Sequence, residues 1–263
     1  MCWSGQASAV LASVGILSTG YAAYKKEPPV LWMSLGYFSL MELLQAFTYS
    51  VINQCDAPSN QMATLLGYLH ITFQPFFINA VSLYFINQAV AKKIAPAVYT
   101  FCFFASILML IQLYPFAWAG KCEIGRPLCG EMLCSIRGNW HIAWMVPVNG
   151  IGNYFYRANW LFFNSGFVGY TLVGFMLPLL YGSWRCTLYH ATFGVFLASA
   201  TTNNVNEWPA VWCLFSIALL LVVIKTPIRR LLFVKRWWLW PKALTGIASP
   251  VPLEPEPAPS FVK

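Results

Sequence analysis

The chain has 263 residues, 59% of them hydrophobic and 9% charged, with a mean hydropathy of +0.60. A soluble domain carries about a quarter charged residues, so this chain has too little charge to cover a surface in water. Together with 17% aromatics, this excludes a disordered, collagenous or disulfide-knot protein and an ordinary cytosolic enzyme. It points to an all-α polytopic protein of a bacterial inner membrane or a eukaryotic membrane.

Seven apolar runs approach the roughly 20 residues that cross a hydrocarbon core of about 30 Å: Ala7–Tyr24, Val30–Asn53, Met62–Gln88, Ala95–Ala119, Trp160–Tyr181, Cys186–Ala200 and Pro209–Ile224. No ten-residue blocks of period-2 alternation occur, so a β-barrel is disfavoured. Spanning segments that satisfy their own backbone are then helices. The first run has its basic pair, Lys25 and Lys26, after the apolar stretch and none before it. It reads as an N-out anchor rather than a cleavable signal peptide.

The second run carries Glu42, and Gln45 and Tyr49 follow at i+3 and i+7 on the same face. The third places His70 and Gln74 at i and i+4, followed by Pro75. Between the fourth and fifth runs lies an outer loop, KCEIGRPLCGEMLCSIRGNWH. After it, Trp140–Gly152 is too short to span, is interrupted by Pro147 and Gly150, and reads as an interfacial or re-entrant piece. The sixth run holds His190, with Gly194, Ala198 and Thr201 continuing its face in small residues that admit a close neighbour. In TTNNVNEWP, Asn206 is placed to cap the seventh helix with Pro209 in its first turn. The same amides could also contact a polar headgroup.

After the last span, KTPIRRLLFVKRWWLWPK interleaves basic and aromatic residues. It reads as a helix in the inner headgroup region, with anionic lipid the partner of residues 225–242. The proline-rich stretch 243–263 reads as a disordered tail. The expected organisation is therefore a seven-helix domain over 1–226 with an outer cap at 120–159, an interfacial helix at 227–242, and the tail. No internal repeat is evident, which weakens a transporter of repeated halves.

Twelve of the sixteen Lys and Arg fall in one alternating set of loops and four (Lys121, Arg126, Arg137 and Arg157) in the other. This bias places the N-terminus outside and the C-terminus in the cytoplasm. Basic residues split among four membrane-flanking segments also argue against nucleic acid. Of eight cysteines, Cys2, Cys55, Cys122, Cys129 and Cys134 fall on the outer side. Two disulfides with one thiol left over are expected there, with connectivity open. A zinc knuckle is the alternative, although spacings of seven and five do not match the usual pairs.

Ionisable groups at membrane depth are functional hypotheses by default. Seven of the eight acids belong to loops and tail, which isolates Glu42. With His70, His141 and His190 as ligands and Glu42 as ligand or general base, the chain could build an open zinc site. It would then be a metal-dependent hydrolase or lipid-modifying enzyme. A haem between two histidines is a variant of that reading. If each span is centred, however, His70 and His190 differ in depth by roughly 12 Å, so a pair His70/His141 above Glu42/His190 is equally consistent. A second reading is a proton-coupled transporter or channel in which Glu42 titrates and Gln74, Tyr49 and His190 line the path. A third is a non-catalytic subunit or scaffold, with membrane-complex partners or a second copy. In the bland version Glu42 is protonated or bonded to Gln74 and Tyr49 and merely joins helices.

The blocks MCWS, LGYFSLMELLQAFTYSVINQC, GYLHITFQPFFINA, GNWHIAW and NEWPAVWCLFSIALL resemble an uncharacterised family of multi-pass membrane proteins from bacteria and microbial eukaryotes. The resemblance covers residues 1 to about 225, and Cys2, Glu42, His70, Gln74, His141 and Glu207 stand in matching blocks. It implies a membrane fold and no activity. Alkaline ceramidases are similar in having seven spans and three histidines at a zinc site. They also use an intramembrane Asp and Ser, whereas Asp56, the single aspartate here, is in an outer loop. Microbial rhodopsins need a lysine in mid-helix. Lys225 lies at a helix end, which argues against retinal.

Overall fold

Helix starts follow the punctuation of the sequence. Ser4 caps α1 (Gly5–Tyr24) by accepting from Ala7 N (3.2 Å), and proline opens α2 (Pro29–Ser50) and α3 (Pro58–Tyr84). Asn87 caps α4 (Gln88–Ile111) through its Oδ1. Such residues satisfy, or do not need, the donors that a first turn leaves without partners. The computed structural model describes residues 3–153 and 167–242. Cys2, Arg157, the first residues of the Trp160–Tyr181 run and the 243–263 tail lie outside them.

Beyond α4 come a hairpin of β1 (Cys134–Arg137) and β2 (Ile142–Met145), then α5 (Val168–Leu180), α6 (184–201), α7 (Trp208–Lys225) and a short α8 (Ile228–Leu232). Both α5 and α6 carry a π-helical turn, at Leu172–Met176 and Ala191–Phe196. Among the described residues, α1, α2, α4 and α7 are long and apolar enough to cross a membrane, and α5 is a shorter apolar helix.

The hairpin corrects the reading of Trp140–Gly152 as an interfacial or re-entrant piece. Antiparallel register pairs Cys134 with Met145 and Arg137 with Ile142. A short apolar run without helical length fits either state in isolation. Here Asn60 of α3 fixes β1 by accepting from Ser135 N (2.9 Å) and donating to Ser135 O (2.9 Å). Disulfides Cys55–Cys134 and Cys122–Cys129 tie this cap to the α2–α3 loop and to itself, so two bridges form among the five cysteines from which the sequence leads one to expect them.

The rods alternate between two ends. At the hairpin end, Trp3 N bonds Trp140 O, Asn53 N bonds Ser135 O, and Asn149 N bonds Gln112 O just past α4. At the other end Arg229 bridges Glu27 (2.7 Å) and bonds Tyr84, while Lys225 lies over the Tyr21 ring. Of the described Lys and Arg, only Lys121, Arg126 and Arg137 belong to the hairpin end. The other is hereafter the basic end.

Residues 227–242 do not form the continuous helix expected of them. After α8 the chain extends and folds back on the bundle: Val234 N bonds Phe85 O, and the Trp237 and Trp240 indoles donate to Leu180 O and Tyr181 O. Three carbonyls at helix ends gain donors this way. Gly182, at φ +98°, has Trp237 packed where a Cβ would sit.

The outside of the bundle is apolar and its interior holds many polar groups. Leu17 is 73% exposed, and Phe101, Phe103, Phe104 and Leu108 present a broad apolar face on α4. Ser8, Ser39, Glu42, Gln45, Thr72, Gln74 and Asn79 are buried. Small residues bring the backbones close, as where Gly15 meets Ser39 between α1 and α2.

Candidate functional site

Each histidine has its own surroundings. His70 of α3 stacks on Tyr37 (3.9 Å), whose hydroxyl donates to the His70 carbonyl. His190 of α6 accepts from Trp212 Nε1 at Nε2 (2.9 Å) and stacks on Phe175 (5.4 Å). His141 lies in the hairpin loop and is fully buried. Among the described residues no three His, Cys, Asp or Glu gather closely enough to hold a metal ion. The expectation that His70, His141 and His190 share zinc is thereby corrected: each ring packs against its own aromatic neighbour, Tyr37, Tyr49 and Phe175 respectively.

Gln74 also departs from its expected place beside Glu42. Its Nε2 donates to Cys213 Sγ (2.9 Å) and its Oε1 accepts from Tyr170 (2.6 Å), bracing α3 against α7 and α5. Asn79, one turn further along, donates to Pro75 O and Val173 O and accepts from Tyr181. These are structural cross-ties. Apart from Pro75, their partners lie more than 90 residues away in sequence, so no local spacing reveals them.

What remains is a polar line on α2. Glu42 and Gln45 are fully buried, and neither their two carboxyl oxygens nor the two amide atoms have a hydrogen-bond partner among the described residues. The Ser8 hydroxyl of α1, held by Trp3 Nε1 (2.8 Å), faces the Glu42 carboxyl without reaching hydrogen-bond geometry. Tyr49 and Cys213 are its other electrostatic neighbours.

Seven residues from Glu42 toward the hairpin end, about 10 Å along the axis, the Tyr49 hydroxyl bonds His141 Nδ1 (3.1 Å). That nitrogen also accepts from Ile142 N (2.8 Å). The neutral ring therefore carries its proton on Nε2, which is buried and has no partner among the described residues. Burial, which penalises the imidazolium, pushes His141 down to about 3. Trp3 and Trp140 flank the ring at 5.8 and 6.1 Å.

The loop that carries His141 is held by a residue with no role in the sequence reading beyond a helix start. Glu207 accepts from Asn139 N (2.5 Å) at one oxygen, and from Trp140 N (2.8 Å) and His141 N (2.9 Å) at the other. Gly138 fits because a Cβ there would lie 2.3 Å from that carboxyl. Asn206 does not cap α7. Its side chain donates to Cys129 O and its own N–H is capped by Asn204, while Glu207 occupies the cap position.

Comparison with curated proteins and with solved structures finds no match. A family model does match, over residues 6–233, a stretch that takes in α1 to α8, the Glu42 line and the Glu207 strap. The chain belongs to DUF5765, a family of unknown function.

Proposed function

We propose that the chain is a seven-span membrane protein, hairpin end outside and basic end cytoplasmic, that acts as a proton-coupled transporter or channel with Glu42 as its titrating group. The apolar exterior and the gathering of basic residues at one end support the placement. The observation that carries the activity is the Glu42–Gln45 pair, with four buried polar atoms and no protein partner among the described residues.

A buried polar group without a partner costs roughly 1–3 kcal/mol by protein mutational measures. At Gln74 and Asn79 the bundle meets this demand, whereas at Glu42 and Gln45 every side-chain polar atom lacks a partner among the described residues. A carboxyl left out of that pattern suits a partner that comes and goes, such as a proton, a water or a small solute. The Tyr49–His141 pair supplies a donor–acceptor step between Glu42 and the outer hairpin, because neutral imidazole presents one nitrogen of each kind. Access requires movement, since Glu42 is sealed in this conformation. The helix that covers it, α1, packs chiefly on α2 and hardly touches the other rods.

The test places the full chain in vesicles of phosphatidylcholine and phosphatidylglycerol with a pH-sensitive dye inside and a potassium diffusion potential across the membrane. Proton entry above the protein-free rate, abolished by Glu42→Gln, is the expected result. Equal rates for the native chain, the variant and empty vesicles would refute the proposal.

A further inference from the structure

At the basic end, α2, α3, α6, α7 and α8 line a narrow cleft that is open on one side, with Phe38, Phe77, Val81, Leu220, Leu232 and His190 in its walls. We propose that it is a binding site for an anionic phospholipid, with one acyl chain in the cleft and the phosphate at its basic rim. The site depends on the membrane placement proposed above and is independent of proton transfer at Glu42.

Three features lead to this occupant. The cleft is open on one side, where a lipid of the surrounding membrane can enter it, and its walls are almost wholly apolar, as an acyl chain requires. His190 adds little polarity, because its Nε2 is already bonded to Trp212. The third feature is charge. Leu232 closes the cleft from α8, whose neighbouring residues are Arg229 and Arg230, and exposed Lys235 and Arg236 follow it. Arg185 adjoins Cys186, another wall residue, and donates to Leu231 O and Phe233 O. Glu27, paired with Arg229, offsets one of these cations. The excess suits a phosphate, since each Lys or Arg near a membrane surface attracts anionic lipid by about 1 kcal/mol, or about fivefold.

The experiment uses the full chain in phosphatidylcholine vesicles doped with phosphatidylglycerol that carries a diazirine near the end of one acyl chain. After illumination, cross-links are mapped by peptide mass spectrometry. Labelling of Phe77–Val81 and Leu219–Val223 should exceed that of the exposed faces at Leu17 and Phe103. The excess should fall about fivefold or more when the same acyl chain is on phosphatidylcholine, or in the double variant Lys235→Gln/Arg236→Gln. Leu220→Trp, which fills the cleft, should remove it while labelling at Leu17 and Phe103 persists. Even labelling of cleft and exposed faces, or an excess indifferent to the headgroup, would overturn the site and leave the membrane placement standing. Absence of labelling on every face would overturn both.

Discussion

Among the described residues two glutamates are fully buried, and their surroundings are opposite. Glu207 receives three backbone N–H groups from the hairpin loop, whereas Glu42, inside the bundle, receives none from the described residues. Burial alone therefore does not identify a working group. A carboxylate whose acceptor positions are filled is part of the architecture, and one left without donors has capacity for a visiting partner.

The contrast can be broken first at the strap. Glu207→Ala leaves three N–H groups without their acceptor, and at roughly 1–3 kcal/mol for each unsatisfied group the expected loss is about 4 kcal/mol. It is read as a lower Tm and faster proteolysis within the hairpin. A stability change below about 1 kcal/mol would show that the loop does not depend on Glu207. Next in size is the Cys55–Cys134 bridge, which closes a separation of 79 residues. Its removal by paired serine substitution should cost about 3 kcal/mol, measured by denaturation in detergent, with the Glu42 region undisturbed.

Acid sharpens the comparison from the side of His141. Its folded value, about 3, lies below the unfolded value near 6.5, so between these limits the unfolded chain binds more protons. The stability it lends is complete above about pH 6.5 and is lost as pH falls toward 3. By pH 5 the loss is about 2 kcal/mol. A stability curve flat across this window, or unchanged in His141→Gln, would contradict the assignment. Gln74→Leu removes two hydrogen bonds and strands the Tyr170 hydroxyl, for an expected cost of about 2 kcal/mol in Tm measurements. The smallest stability effect belongs to Glu42→Gln, a nearly isosteric change that breaks no hydrogen bond among the described residues.

The sequence displayed the bundle better than the cap. Long apolar runs without charge announce themselves, and sorting the basic residues found the two ends that the rods connect. Isolating Glu42 was possible because its neighbours in the run are apolar, so a single carboxyl stands out. The hairpin was obscure because Ile142–Met145 is four residues long and its pairing partner precedes a loop. Glu207 was missed for a related reason. Its partners are 66 to 68 residues earlier, and the signal that was present was a carboxylate at the first turn of an apolar helix. The three histidines looked convergent on the page because composition records how few there are and says nothing of which element carries each.

The central claim is that Glu42, alone of the two buried glutamates, exchanges a proton. Infrared difference spectroscopy of the full chain in lipid, taken across a pH titration in H₂O and in D₂O, tests it most directly. The account predicts a carboxylic-acid carbonyl band whose amplitude follows pH, which vanishes in Glu42→Gln and persists in Glu207→Gln. A pH-dependent band that survives Glu42→Gln, or a spectrum with no such band at any pH, would contradict it.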